Sequence, residues 1–391
     1  MLFSRSFRMR IRLILTILVI VGLLGGATWW VLQPTQTQIQ ASISAVGMLN
    51  QASQGNYRRA TEPRPFEFPA DHGSHPGYRT EWWYYTGNLA SADGQRFGFQ
   101  LTFFRSAATD QVISRTASLA TSDIYMAHFA LTDVANQRFY AFERFMRGNP
   151  QLANATGDPF KVFVEDWQAL GSGLEGMTMQ LRAKQAPVKL DLTLQSSKIP
   201  TLQGDRGLSQ KGAELGNASY YYSLTNMTTT GTLQIDGREI AVTGKTWMDH
   251  EWGTSALEDQ AVGWDWFSIQ LDDQREITYF NIRNADGSIS PYSTGTLTLA
   301  DGTTRKIERD SIKLEVLQQW QSDQGTQYPA QWRLSLPSEQ LELTITPQLA
   351  NQELPLTVRY WEGSVAINGS VTGFGYVELT GYGDSDRGRA E

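Results

Sequence analysis

The chain has 391 residues, no cysteine, 40% hydrophobic and 11% aromatic residues including 12 Trp, and a formal net charge of −7. The lack of cysteine excludes disulfides, thiolate metal centres, a cysteine nucleophile and a lipid anchor on cysteine. Four of the 33 basic residues (Arg5, Arg8, Arg10, Arg12) precede the first apolar run and all 40 acidic residues follow it, so the body is acidic and disfavours nucleic acid and anionic lipid.

This length is past the point at which one core usually keeps growing, so two domains are expected, with one large β domain as the alternative. Residues 1–12 read as a basic cytoplasmic tail. The uncharged run 13–32 is long enough to cross a bilayer core of about 30 Å. The arginines before it place the rest outside the cytoplasm by the positive-inside rule. The segment is expected to stay as a membrane anchor, which makes the body periplasmic in a Gram-negative cell; cleavage after Gly25-Gly26-Ala27 would make it secreted. Residues 33–60 are rich in Gln, Ser, Thr and Ala and read as a stalk.

Beyond the stalk, short β-branched and aromatic runs alternate with turn signals at Ala92-Asp93-Gly94, Asp236-Gly237 and Asp301-Gly302. The expected fold is all-β, two tandem antiparallel barrels over 61–255 and 256–391. A repeat supports the division: Trp83, Leu89, Gln95-Arg96, Phe103 and Arg105 recur in order as Trp266, Leu271, Gln274-Arg275, Phe280 and Arg283.

Three segments carry candidate chemistry. In His75 to Gly87, strand alternation puts Glu81, Trp83 and Tyr85 on one face and Trp82 and Tyr84 on the other. Aromatic faces on both sides suit a ligand pocket or plain barrel core. In Gly244 to Gly253, Asp249 and Glu251 share one face and His250 and Trp252 the other. Ionisable groups between Trp residues are costly to bury unless paired and mark a site candidate. Here His250 is expected to face the pocket and Asp249 to serve structure. In Gly263 to Ser268, Trp264 and Trp266 share a face, as do Tyr279 and Asn281 further on. The four histidines, His72, His75, His128 and His250, lie in or beside these segments. They stand in no register that aims them at one metal ion, so neither metal nor cofactor is expected. No G-x-S-x-G elbow, Walker loop, G-x-G-x-x-G or H-E-x-x-H occurs, which argues against an α/β serine hydrolase or a nucleotide-binding domain.

His75 to Gly87, Asp249 to Gly253, Gly263 to Trp266, Tyr360 to Gly363 and Gly375 to Gly381 together resemble the AttH/CrtC-like lipocalin family, over about residues 61–385. That family includes carotenoid 1,2-hydratases and proteins labelled predicted secreted hydrolases. The resemblance implies two calycin-like barrels and an apolar, lipid or isoprenoid-like ligand. It assigns hydratase acid/base chemistry to a His-x-Trp pair, matched by His250 and Trp252, and to a Tyr-x-Asp pair. The latter falls on Tyr279 and Asn281, where an amide replaces the carboxylate, so Asp249, Glu251 or Glu81 would have to act as the acid. Glu81, Trp82, Trp83, Tyr85, His128, Trp264 and Trp266 are the expected ligand contacts. Two functions remain open: a binder of an apolar molecule, or a hydratase or cyclase acting on one.

Overall fold

A computed structural model describes residues 55–110, 121–254 and 257–383. The expected tail, membrane segment and most of the stalk, residues 1–54, lie outside the described residues. Among the described residues, no helix is long and apolar enough to cross a membrane.

The body is almost entirely strand. The first sheet contains β1 (Thr80–Ser91), β2 (Arg96–Ala107), β3 (Asp123–Asp133), β4 (Arg138–Arg147), β5 (Ala153–Gly157), β6 (Phe160–Val164), β7 (Trp167–Ser172), β8 (Thr178–Gln185), β9 (Val188–Ser196), β10 (Thr201–Leu202), β11 (Leu208–Gln210), β12 (Ala218–Ile235) and β13 (Arg238–Gly253). The second contains β14 (Ala261–Leu271), β15 (Glu276–Asn284), β16 (Thr294–Thr298), β17 (Thr304–Glu308), β18 (Lys313–Gln321), β19 (Gln327–Leu336), β20 (Leu341–Pro347), β21 (Glu353–Pro355), β22 (Arg359–Gly369) and β23 (Gly373–Leu379). The turn signals fall where hairpins need them. Asp236 (φ 51°) and Gly237 (φ 83°) both adopt positive φ, the type I′ geometry whose twist matches the flanking strands.

In each sheet the first strand pairs with the last, β1 with β13 and β14 with β23. The free edges are therefore internal to the chain order: β4 and β5 in the first sheet, β17 and β18 in the second. The first sheet is a nearly closed barrel, its seam bridged by Arg144 of β4. That guanidinium pairs with Asp166, donates to the Lys184 carbonyl (3.1 Å) and lies 4.2 Å from the Trp167 ring centre. The second sheet stays open as a half-barrel, short of the closed barrel expected.

Each concave face holds its own core. The first buries Trp83, Tyr85, Trp167, Tyr222 and Trp252, and the second Phe267, Tyr279, Trp332 and Trp361. The repeated residues form hairpins in the same register, Trp83 opposite Phe103 and Trp266 opposite Phe280. They present opposite faces, however: Trp83 fills the first barrel whereas Trp266 points between the sheets. The two sheets meet back to back. At Gly98 a Cβ would sit 2.6 Å from Ser364, so only glycine allows this approach. Buried polar contacts fix the junction: Asn88 Nδ2 donates to the Gly375 carbonyl (3.0 Å), and Gln203 Nε2 to the Ser223 (2.8 Å) and Thr278 (2.9 Å) hydroxyls.

Candidate functional site

Strand alternation divides the candidates between two places. The entry segment ahead of β1 caps one end of the first barrel, with Phe66 packed edge-on against Tyr222 and Trp252. Around it runs a chain of alternating charges. Arg64 pairs with Asp71 (2.5 Å), and His75 donates to Asp71 (3.0 Å) and Glu81 (2.7 Å). Arg105 Nε donates to Glu81 (2.9 Å) and its Nη1 to Asp123 (2.9 Å). Burial opposes charge on His75, but the two carboxylates outweigh it and raise the imidazole pKa. Glu81 is fully buried, yet Arg105, His250 and His75 hold its carboxyl below the usual range.

His250 belongs to this network. Its Nε2 donates to Glu81 (3.0 Å), and its Nδ1 lies 3.0 Å from the Asp71 carbonyl and 3.2 Å from the Tyr222 hydroxyl. Trp252 stacks flat on His75, with ring centres 3.6 Å apart. His75, Glu81 and His250 bring donor atoms within 4.8 Å of one another, a set that suits a divalent ion. Here protein partners already engage all three, and the Arg105 guanidinium on Glu81 opposes a second cation. His72 meets His250 at the Tyr222 hydroxyl (2.5 Å from His72 Nδ1) and not at Glu81, so three of the four histidines share this network and only His128 lies at the other place.

That other place is a cavity of about 180 Å³ between the sheets. Its walls are Trp82, Tyr84, Phe104 and Met126 from the first sheet and Trp264, Trp266, Phe280 and Ile282 from the second. Asp249, Glu251, Glu378, Lys211, Tyr221 and His128 add polar groups, and Glu81 and Arg105 reach its edge. The assignment of faces on β13 is thus the reverse of that expected. Asp249 and Glu251 face the cavity, and His250 and Trp252 are fully buried behind the wall. Trp83 and Tyr85 fill the barrel, and Tyr279 belongs to the second sheet's core. Asn281 lies opposite Asp265 on β14, so the His-x-Trp and Tyr-x-Asn pairs do not converge. The physical reason is that the first barrel's interior is filled by its own rings, which leaves the outer face of β1 and β13 as the cavity wall.

The cavity acids are held in low dielectric. Asp249 accepts from Ser223, from Trp247 Nε1 (2.8 Å) and from the Tyr221 hydroxyl (2.8 Å), and that hydroxyl in turn accepts from Trp266 Nε1 (3.2 Å). Burial nevertheless pushes the Asp249 carboxyl up to about 7. Glu378 has one donor, Trp264 Nε1 (2.8 Å). Burial, with Asp249 and Glu251 nearby, also pushes it up to about 7. Behind it, burial and Glu378 raise Glu362, which accepts from Tyr84 and leaves Oε2 without a hydrogen bond. Glu251 differs: it accepts from Ser219 and pairs with Lys211 (3.1 Å), whose ammonium lies 4.3 Å from the Phe280 ring centre. His128 Nδ1 lies 2.8 Å from the Tyr360 hydroxyl, and burial pushes its pKa down to about 3, so it is neutral. Glu378, Glu362, Tyr221, Tyr360 and Lys211 were not among the sequence candidates. The available signal was the pairing of a phenol and a carboxylate two residues apart within apolar strands, Tyr360-x-Glu362 and Tyr376-x-Glu378.

A raised carboxyl gives a signed prediction. The folded chain holds the Glu378 proton more tightly than the unfolded chain, so its contribution to stability is complete below about pH 4.5. That contribution is lost as pH rises through about 7. Glu378→Gln removes it and leaves every histidine in place. Melting temperatures of variant and parent should therefore diverge in the variant's favour between pH 5 and pH 8; a constant offset would contradict the burial assigned to this acid.

The AttH-like family model matches residues 59–382. A crystal structure of an AttH from Nitrosomonas europaea matches with 33% identity and a TM-score of 0.74, covering 83% of this chain and 100% of that one. Kievitone hydratase from Nectria haematococca matches at 15% identity and a TM-score of 0.63, over 85% of this chain and 98% of that one, a likeness of fold alone. A comparison with curated protein sequences returns no match. A family model spanning the whole two-sheet body, together with a relative at this identity, makes the chain a member of the AttH-like family.

Proposed function

We propose that the cavity between the sheets takes up an apolar, unsaturated molecule. Asp249, Tyr221 and Glu378 then move protons to and from it, adding water across a carbon–carbon double bond or closing a ring. The observation that carries this reading is the pair of carboxyls at about 7 on a wall built mainly of aromatic and aliphatic side chains. At neutral pH each is divided between acid and base, the condition in which one group gives up a proton and its neighbour accepts one. In hydration, a proton passes to one alkene carbon, water oxygen bonds to the other, and the surplus water proton goes to a carboxylate. The carbocation between these steps lies among Trp82, Trp264, Trp266 and Phe280, whose ring faces favour positive charge. Tyr221 is placed as a relay, its hydroxyl on the cavity wall and its proton on Asp249. One protein of the same fold is a hydratase, and the resemblance to carotenoid hydratases points the same way. We place the body outside the cytoplasm, held by residues 13–32, on the arginine flank of that run.

A binder remains the second reading, favoured by the three donors that already satisfy Asp249. Deuteron transfer separates the two. In D₂O the full chain should deposit deuterium on an acyclic isoprenoid alkene, read by mass spectrometry. No incorporation between pH 5 and 8 would sink the catalytic reading in favour of binding alone.

A further inference from the structure

The cavity lies toward one end of both sheets, where its rim residues Thr80, Ser106 and Thr380 stand at or just beyond strand ends. Further along the junction the sheets are joined by Asn88 Nδ2 on the Gly375 carbonyl (3.0 Å) and Gln270 Nε2 on the Thr225 carbonyl (2.7 Å). Ile124 (45% exposed), Phe145 (47%), Leu152 (41%) and Leu215 (80%) stand at the rim end, four of the six large apolar side chains exposed among the described residues. Register places them. Ile124 pairs with Ser106, and Phe145 with the cavity residue Met126. Leu152 lies in the turn that follows β4, and Leu215 in the loop that carries Lys211. Scattered exposed apolar residues are ordinary, whereas a group around a ligand mouth marks a contact surface. The turns at the opposite end of the first barrel, Asp93-Gly94 and Asp236-Gly237, are polar.

The chain also enters the body at this end. Asn56 N donates to Asp110 (2.8 Å) and the Tyr57 hydroxyl to the Ala107 carbonyl (3.2 Å), just past the end of β2. Only residues 33–54 separate this entry from the apolar run 13–32, a length of chain that reaches at most about 75 Å fully extended. The linker therefore joins the body at its rim end.

We propose that this end lies against a lipid bilayer, with Ile124, Phe145, Leu152 and Leu215 seated among the headgroups. The mouth then opens toward the acyl chains, and an apolar molecule passes between membrane and cavity without crossing water. The net acidic body fits a zwitterionic surface better than an anionic one. This rests on the cavity being the ligand site, but lipid contact is read without ligand or turnover, so the two ideas fail separately.

The chain has no cysteine, so Leu215→Cys, Phe145→Cys and, at the far end, Asp93→Cys each give one labelling site. The full chain is reconstituted in phosphatidylcholine nanodiscs containing headgroup spin-labelled lipid, and quenching of an environment-sensitive fluorophore is read at each site. Quenching several-fold stronger at 215 and 145 than at 93 is expected. Equal quenching at all three sites, or none, overturns the proposal. So does shielding of 215 and 145 that depends on protein concentration and not on lipid, the mark of a second copy of the chain on this face.

Discussion

Asp249→Asn should lower the rate of deuteron delivery to an acyclic isoprenoid alkene by about 10² to 10⁴, the usual contribution of a positioned proton-transfer group. The amide keeps the shape of the carboxyl but cannot exchange a proton with the Tyr221 hydroxyl, its hydrogen-bond partner beside it in the cavity lining. Tyr221→Phe should cost a comparable factor because the two groups act in series. The double variant should then be little worse than either single one. Additive losses would separate the residues, and an unchanged rate in both would leave Glu378 as the sole acid. Circular dichroism of Asp249→Asn should stay that of the parent fold, since Ser219, Lys211 and Glu251 still hold the end of β13.

Arg105→Met should destabilise the fold more than any of the substitutions at the cavity. It leaves the fully buried Glu81 carboxylate without its guanidinium, and breaking a buried pair from one side costs about 3 to 5 kcal/mol. It also frees the His75 and Tyr78 carbonyls from the donors that tie the entry segment to the barrel. In a body of this size the melting temperature should fall by roughly 4 to 7 °C. Adding Glu81→Gln should recover part of the loss, because it removes a buried charge left with only the two imidazoles and one backbone N–H as partners. A drop as small as that of an exposed arginine, or no recovery in the double variant, would contradict the structural role given to this network and, with it, to His250.

The strands, the hairpin turns and the aromatic weight of the body were legible because alternation and Asp-Gly turns are local signals. The shared face of Trp264 and Trp266 is legible for the same reason, and both rings line the cavity. Alternation also separated Asp249 from His250, but it could not say which face looked toward a ligand. That depends on which side of β13 is filled, and the filling comes from Phe66, His75 and Trp83, distant in sequence or on another strand. Glu378 escapes notice because a lone carboxylate in an apolar strand reads as an outward residue until a second sheet covers it. Closure of the second barrel was likewise illegible, since β17 and β18 each look like any other strand and only their failure to pair leaves the half-barrel open.

Titration of the full chain with retinol, followed by Trp emission, addresses the cavity itself. Trp82, Trp264 and Trp266 line it, so a polyene seated there should quench emission saturably, and Ile282→Trp, which fills the space between the sheets, should abolish saturation while leaving the fold intact. Saturable quenching in the parent and its loss in Ile282→Trp are the expected results. No saturable change in the parent, or one that survives the blocked cavity, would contradict the assignment of the ligand to the space between the two sheets.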